Sequence, residues 1–294
     1  GAALLFAPQS HTRLGEGLMS STEQPKRTPE QLRHHYEVEK MLAGRLRCAT
    51  RDERRALYPT LYDELFRSVP DHPRHSRPPD RVIQAGIRNK LRVVAPFLKA
   101  DMTVVEFATG DGTFAYELCK HVSFVYGVDI SDQRADRTSG PPNFRMITYD
   151  SYSAPLPFAC ADLAFSDQLI EHIHPDDIGL HFEMINNILK PGGAYLLRTP
   201  HRFSGPHDIS KYFSNTAEGF HLKEWTYGEL RAAIFAAGYA SFTPIQELHG
   251  KLYTPPFLFF QLLETVLSKT PHSIRQKLAA RILNQVAGIA WKTA

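Results

Sequence analysis

The residues Thr103 to Gly112, T-V-V-E-F-A-T-G-D-G, constrain this chain more than any other stretch. Val104, Val105 and Phe107 crowd β-branched and aromatic side chains just before a glycine turn, the pattern of a buried strand's end. Gly110 and Gly112 lack Cβ atoms, so the turn accepts positive φ and lets a ligand lie against the backbone. The following T-F-A-Y-E-L-C-K reads as a helix whose first N–H groups point back at the same spot. A second apolar run, Val122 to Val128, ends in Asp129, 23 residues after Glu106. In a doubly wound sheet this spacing brings a carboxylate beside the glycine turn, where it can accept from a ribose diol. The unit is a nucleoside-binding strand–turn–helix–strand.

Two cofactor chemistries fit it. Gly110 to Ala115 satisfies the dinucleotide pattern G-x-G-x-x-A. Glu106 to Gly112 satisfies E-x-G-x-G-x-G with Ala108 at the first glycine, which a negative φ would accommodate. That pattern resembles the cofactor loop of class I S-adenosylmethionine (SAM) methyltransferases. A carboxylate four residues before Gly110 adds negative charge near a pyrophosphate, whereas it suits a sulfonium cofactor with a free amine. The downstream sequence decides between them.

At 294 residues, 43% hydrophobic and 22% charged, the chain suffices for one large α/β domain with helical additions. Cys48, Cys119 and Cys160 lie far apart with no CxxC pair, so a reduced, cytoplasmic compartment without structural zinc is expected. No apolar run reaches the ~18 residues of a membrane span, and the opening G-A-A-L-L-F-A lacks a signal peptide's basic start. Met19 reads as a candidate start, with residues 1–18 an upstream extension. The net charge of +3 hides an asymmetry: residues 26–99 hold 17 Lys and Arg against 9 Asp and Glu. Solvated helix faces explain that surplus; an entry surface for an anionic acceptor is the sharper alternative. No nucleic-acid-binding module is visible, so no nucleic-acid partner is expected.

Along the chain, residues 1–27 read as a flexible leader. Thr28-Pro29-Glu30-Gln31 and Thr50-Arg51-Asp52-Glu53 are helix starts with capping-box spacing, predicting helices over about 28–44 and 50–68, the second broken near Pro59. A third helix is expected over 80–99 from the spacing of Val82, Ile83, Ile87, Leu91, Val94 and Leu98. Residues 28–99 thus form a helical flank or lid. In the core, 100–252, strands at 143–149, 161–166 and 194–198 alternate with a helix at 175–190, which implies a mostly parallel sheet with helices on both faces. A polar, histidine-rich insertion spans 200–224; Thr226 with Glu229 caps another helix, and strand-like segments at 239–252 would complete the sheet. The tail, 253–294, reads as a helical extension, with apolar P-P-F-L-F-F-Q-L-L-E and then Arg275, Lys277 and Arg281. It is expected to pack on the sheet or on a second copy, with a membrane surface as the alternative.

From Asp150 onward a consecutive series appears: Asp150-Ser151, P-L-P-F at 155–158 with Asp162, S-D-Q-L-I-E-H at 166–172, and L-K-P-G-G at 189–193. With the glycine loop and Asp129, the series resembles small-molecule class I SAM-dependent methyltransferases of the ubiquinone/menaquinone type, over about residues 90–245. The resemblance implies a doubly wound, mostly parallel seven-stranded Rossmann-like sheet and SAM as cofactor, and it sets the dinucleotide reading aside. It implies that Glu106 anchors the loop and the amino-acid end of SAM, with Ala108, Thr109, Gly110 and Gly112 along the methionine and ribose. Asp129 would hold the ribose hydroxyls, Ile130 would lie under the adenine, Asp150 and the Ser151 N–H would meet its edge, and Asp167 and Gln168 would close over the sulfonium side.

Methyl transfer to a hydroxyl needs alignment and removal of a proton, and histidine suits the second task. His172, at the mouth of the fourth strand, and His174, His201 and His207 are candidate bases, with Asp208 and Tyr212 beside His207. Some relatives hold Mg²⁺ through E-x-x-E-H and a later histidine. Here Gln168 replaces the first glutamate, leaving Glu171 and His172 without a defined third ligand, so no metal is expected. The N-P-P-Y of amino-methylating nucleic-acid enzymes is absent after the fourth strand, which favours oxygen as the acceptor atom. The S-G-P-H-D-I-S and F-H-L-K-E-W stretches resemble enzymes of glycan and natural-product pathways. The leading expectation is therefore O-methylation of a small hydroxylated acceptor. A non-catalytic SAM-fold subunit and an RNA or protein methyltransferase are the alternatives.

Overall fold

The computed structural model describes residues 27–248 and 250–294, so the leader expected over 1–27 falls, except for Arg27, outside the described residues. The described chain begins with two helices that pack together, α1 (Pro29–Cys48) and α2 (Arg51–Ser68), each opened by a closed capping box. At Thr50 the backbone N–H donates to Glu53 Oε2 at 2.7 Å while the threonine oxygen accepts from the Glu53 N–H. The break expected near Pro59 does not occur; Pro59 lies inside a continuous α2. Leu61, Leu65 and Phe66 bury against Leu42, Ala43 and Leu46 across the pair, and that packing outweighs the one hydrogen bond proline removes. α3 (Asp80–Val94) follows and stops short of 99, where Pro96 turns the chain into a 3₁₀ turn.

The core runs β1 (Thr103–Phe107), α4 (Thr113–Leu118), β2 (Phe124–Asp129), β3 (Phe144–Thr148), β4 (Ala161–Asp167), α5 (Ile178–Ile188) and β5 (Leu189–Pro200); the expected alternation holds around β1 and before β5, but β2, β3 and β4 are joined by loops without a helix. These five strands pair in parallel in the order β3-β2-β1-β4-β5. The K-P-G-G turn bulges out between the pairs Ala161–Leu189 and Leu163–Ala194. Pleat alternation sends Val105 and Phe107 into one buried cluster and Val104 into the other, so both sheet faces are covered.

The remainder differs from the expected layout. α6 (Tyr227–Ala236) and β6 (Ser241–Pro244) fall as read, but β7 (Gln246–Leu248) and β8 (Lys251–Tyr253) form a separate hairpin. After α7 (Phe257–Ser268) and α8 (His272–Ile282) the chain returns as β9 (Gln285–Trp291), antiparallel between β5 and β6. The tail is thus a helical extension that ends in the sheet, giving seven strands of mostly parallel order. Q-V-A-G-I-A-W escaped notice because its small residues fit a crowded slot: a Cβ at Gly288 would run into the Phe242 ring. Leu258, Leu262, Val266 and Ile274 stay exposed on α7 and α8. Among the described residues no helix is long and apolar enough to cross a membrane.

Candidate active site

Strand order reverses between β1 and β4, and the loops leaving β1, β2 and β4 converge over the crevice this creates. Beyond β1 the backbone of Ala108, Gly110 and Gly112 is left-handed, at φ of 56°, 58° and 77°. Gly110 and Gly112 suit that turn; the negative φ expected of Ala108 is not found. The turn begins one residue early because the Thr109 N–H reaches back to the Val128 carbonyl at 3.3 Å. Asp129, buried at the end of β2, stitches the turn: Oδ2 accepts from the Gly110 N–H at 2.9 Å and Oδ1 from the Ile130 N–H at 2.7 Å. Burial pushes its pKa up to about 6 against those donors.

Glu106 lies fully inside, accepting from Thr109 Oγ1 at 2.7 Å, with Lys90 Nζ of α3 at 3.5 Å from its other oxygen. Burial pushes Glu106 up to about 7, with Lys90 and Thr109 opposing. Asp167 makes a buried bidentate pair with Arg198 of β5, at 2.9 and 2.8 Å, and Arg198 also donates to Asn89 of α3 at 2.7 Å. Burial works to raise the Asp167 pKa, but the Arg198 charge outweighs it and holds the carboxyl below its usual range. Neither Lys90 nor Arg198 stands out in the sequence, since each meets its partner only through the tertiary fold.

A cavity opens along this edge, lined by Ala108, Asp129, Ile130, Tyr149, Ser151 and Tyr152 and roofed by Tyr58, Leu61 and Tyr62 of α2. Asp150 is not among the lining residues. Its Oδ1 closes a local turn through the N–H groups of Tyr152 and Ser153, and its Oδ2 pairs with Arg55 of α2 at 3.3 Å. Arg54 clamps the roof to the core through two bonds of 2.7 Å to Asp177.

Tyr62, His172 and Phe220 line this cavity and also a larger, more open cleft that holds Gln168, Glu171, His207, Asp208, Tyr212 and His221. His172 Nδ1 lies 3.0 Å from the Phe220 carbonyl, and burial, with His221 and Arg74 nearby, keeps the ring neutral, its pKa well below the usual value. Burial also works against a charge on His221. The Glu224 carboxylate, 2.9 Å from His221 Nδ1, outweighs it and lifts the pKa to about 9. His201 and His174 are corrections to the candidate bases: neither lines a cleft. His201 is wholly buried, its Nε2 3.0 Å from Glu264 Oε1 and its Nδ1 accepting from the Phe203 N–H. His174 caps a 3₁₀ turn by accepting from the Asp176 N–H.

The insertion is fixed rather than loose. Asp208 accepts from the Ser210 and Gly219 N–H groups, both at 2.9 Å, and burial raises its pKa. From α1, Arg47 donates to the Glu218 and Gly219 carbonyls, and Glu39 accepts from the Phe220 N–H. Sequence reasoning missed this latch and also missed His221; the only trace of the latter was the i, i+3 spacing of His221 and Glu224.

Comparison with known proteins agrees with this architecture. Residues 80–249, more than half of the chain, match the family described as "Methyltransferase domain". No curated protein matches the sequence. Among solved structures, the chain is similar to the protein solved in complex with the Trm112 methyltransferase activator of Haloferax volcanii: 18% identity, TM-score 0.50, covering 71% of this chain and 93% of that one. It is also similar to an S-adenosylmethionine-dependent methyltransferase from Mesorhizobium loti, at 17% identity, TM-score 0.47, and 71% and 96% coverage. A third likeness is phosphoethanolamine N-methyltransferase 2 of Haemonchus contortus with bound S-adenosyl-L-methionine, at 17% identity, TM-score 0.49, and 70% and 53% coverage. At 18% identity and a TM-score of 0.50, the first of these likenesses speaks to fold alone. The glycine turn, the carboxylate closing β2 and the cavity beside them fit an adenosyl cofactor, and the chain belongs to the methyltransferase-domain family of class I enzymes, with SAM as its cofactor.

Proposed function

We propose that the protein transfers the SAM methyl group to a hydroxyl of a small acceptor held in the larger cleft. The observation that carries this reading is the shared wall of Tyr62, His172 and Phe220, which joins the cofactor cavity to a polar cleft lined by histidines. Asp129 and Ser151 would hold the adenosine end, Glu106 and the turn at Ala108, Thr109, Gly110 and Gly112 the amino-acid end, and Gln168 would bound the sulfonium side. When bound, SAM would supply an activated methyl group, its C–S bond breaking as the acceptor's C–O bond forms and the electron pair leaving on S-adenosylhomocysteine. His207 takes the hydroxyl proton, and His172, kept neutral by burial, orients the acceptor. Asp208, both of whose oxygens serve backbone N–H groups, positions the loop that carries His207.

Part of the basic surplus of the N-terminal helices is committed to partners elsewhere in the chain: Arg54 to Asp177, Arg55 to Asp150, Lys90 to Glu106 and Arg47 to carbonyls. Methyl release from labelled SAM across a panel of sugars and phenolic natural products tests the reading. We expect turnover with a hydroxylated member and at least a hundredfold loss of kcat in His207→Ala. Turnover restricted to amines, or undiminished in His207→Ala, rejects the acceptor class or the base.

A further inference from the structure

We propose that Glu171, His172 and His221 form a binding site for a divalent first-row transition-metal ion that opens onto the acceptor cleft. One donor atom from each residue lies within 4.8 Å of the other two. An ion at the centre of such a triangle sits at most about 2.8 Å from each atom, and small side-chain rotations close that to the ~2.0–2.2 Å of imidazole and carboxylate bonds.

The outer contacts argue independently that this is a built site. Glu171 is fully buried; its Oε2 accepts from Thr199 Oγ1 at 2.8 Å, while Oε1 has no hydrogen-bond partner among the described residues and lies 4.0 Å from His172 Nε2. A buried carboxylate oxygen left in that condition is costly unless a cation meets it. Each histidine is turned by an oxygen at its Nδ1: the Phe220 carbonyl at 3.0 Å for His172 and the Glu224 carboxylate at 2.9 Å for His221. At His172, which is neutral, an Nδ1–H bonded in this way fixes the tautomer that offers Nε2 as a ligand; at His221, held charged by Glu224, a bound ion displaces the Nε2 proton and the Nδ1–H bond to Glu224 then supports the ligand. Glu224 is itself held by the His207 N–H at 2.6 Å. All three triad residues line the cleft, whose wall carries Glu39, Glu171 and Asp208 alongside Arg27, Arg74 and Lys211. Two imidazoles and one carboxylate select Mn²⁺, Fe²⁺, Co²⁺ or Zn²⁺ over Mg²⁺ or Ca²⁺, which prefer all-oxygen shells. The third ligand that the sequence left undefined is His221, 49 residues beyond His172.

The ion's task, binding the acceptor oxygen so that its proton leaves more readily, rests on the O-methylation reading; the site itself does not. The test therefore uses full-length protein stripped by chelator, with neither SAM nor acceptor present. Co²⁺ is added and its visible absorption followed, with Zn²⁺ titrated by calorimetry. We expect one ion per chain, at least tenfold weaker binding of Mg²⁺, and at least a tenfold loss of Co²⁺ affinity in each of Glu171→Gln, His221→Asn and Glu224→Gln. His121→Asn, remote from the site, should bind as wild type. Folding of each variant is checked by its affinity for SAM, which should persist. Absence of stoichiometric binding, or unchanged affinity in variants that still bind SAM, overturns the site. An ion bound as described by an enzyme whose methyl transfer ignores chelation overturns the assigned task alone.

Discussion

Ala108 occupies a left-handed backbone position at φ 56° in a turn whose other left-handed residues are glycines. An L-residue there costs roughly 1–2 kcal/mol, and glycine returns about 0.5–1 of that through its freer unfolded state. Ala108→Gly should therefore stabilise the protein slightly, raising the thermal midpoint by about 1–3 °C; a lower midpoint would mean that the buried methyl matters more than the strain. Glu106 and Asp129 raise a different question, that of pH. Burial lifts them to about 7 and about 6, opposed at Glu106 by Lys90 and Thr109 and at Asp129 by the donors of Gly110, Ile130 and Gln133. A raised carboxyl binds its proton more tightly in the native state, so stability is full below about pH 4 and declines as pH rises through the folded value. Glu106→Gln removes that decline, at most about 3 kcal/mol, and urea melts of both proteins at pH 5 and 8 measure it. The cationic cofactor prefers the ionised form. SAM affinity should rise about tenfold from pH 6 to 8 in the wild type and stay flat in Glu106→Gln, as read by calorimetry.

At the scale of elements, two arginines tie together segments distant in sequence. Arg198 joins β5 to Asp167 of β4 and Asn89 of α3 behind the cofactor loops. Arg198→Met leaves a buried carboxylate unpaired and should cost about 3–5 kcal/mol by chemical denaturation, with much of it recovered in Asp167→Leu/Arg198→Met. Arg47 works more locally. Arg47→Ala should speed amide exchange across residues 217–221 while leaving the sheet strands protected, and uniform deprotection would contradict this. The sequence made legible those features whose causes are local. Three threonine capping boxes, the strand before the glycines and Asp129 at the end of β2 all fall where propensity and turn chemistry put them. It could not reveal Lys90, Arg47, Arg198 or His221, each defined by a partner that only the tertiary fold supplies. Pro59 and β9 misled for the same reason, because tertiary packing overrode a breaker in one and small residues concealed a strand in the other. His201 looked chemical from its place after β5, yet both ring nitrogens are spent inside the core.

Across the whole molecule, the roof helices are latched to the turn that opens α5 by Arg54–Asp177 and to the insertion by Arg47, so the two clefts share walls from three separate parts of the chain. β9 completes the sheet by pairing with β5 over seven residues, Ala194 to Pro200, and with β6 over four. A chain ending at residue 284 would strip both neighbours of their partner and bare two edges, and we expect it to aggregate when expressed, as read by soluble yield and size exclusion. The order of synthesis adds a consequence. The nucleoside half, β1 to β3, emerges early and pairs with itself, whereas β6 must wait, unpaired, while two more helices are made. Only when residue 291 has cleared the ribosome can the last gap be filled, so throughout that interval the nascent protein carries an open β edge that a chaperone would have reason to hold.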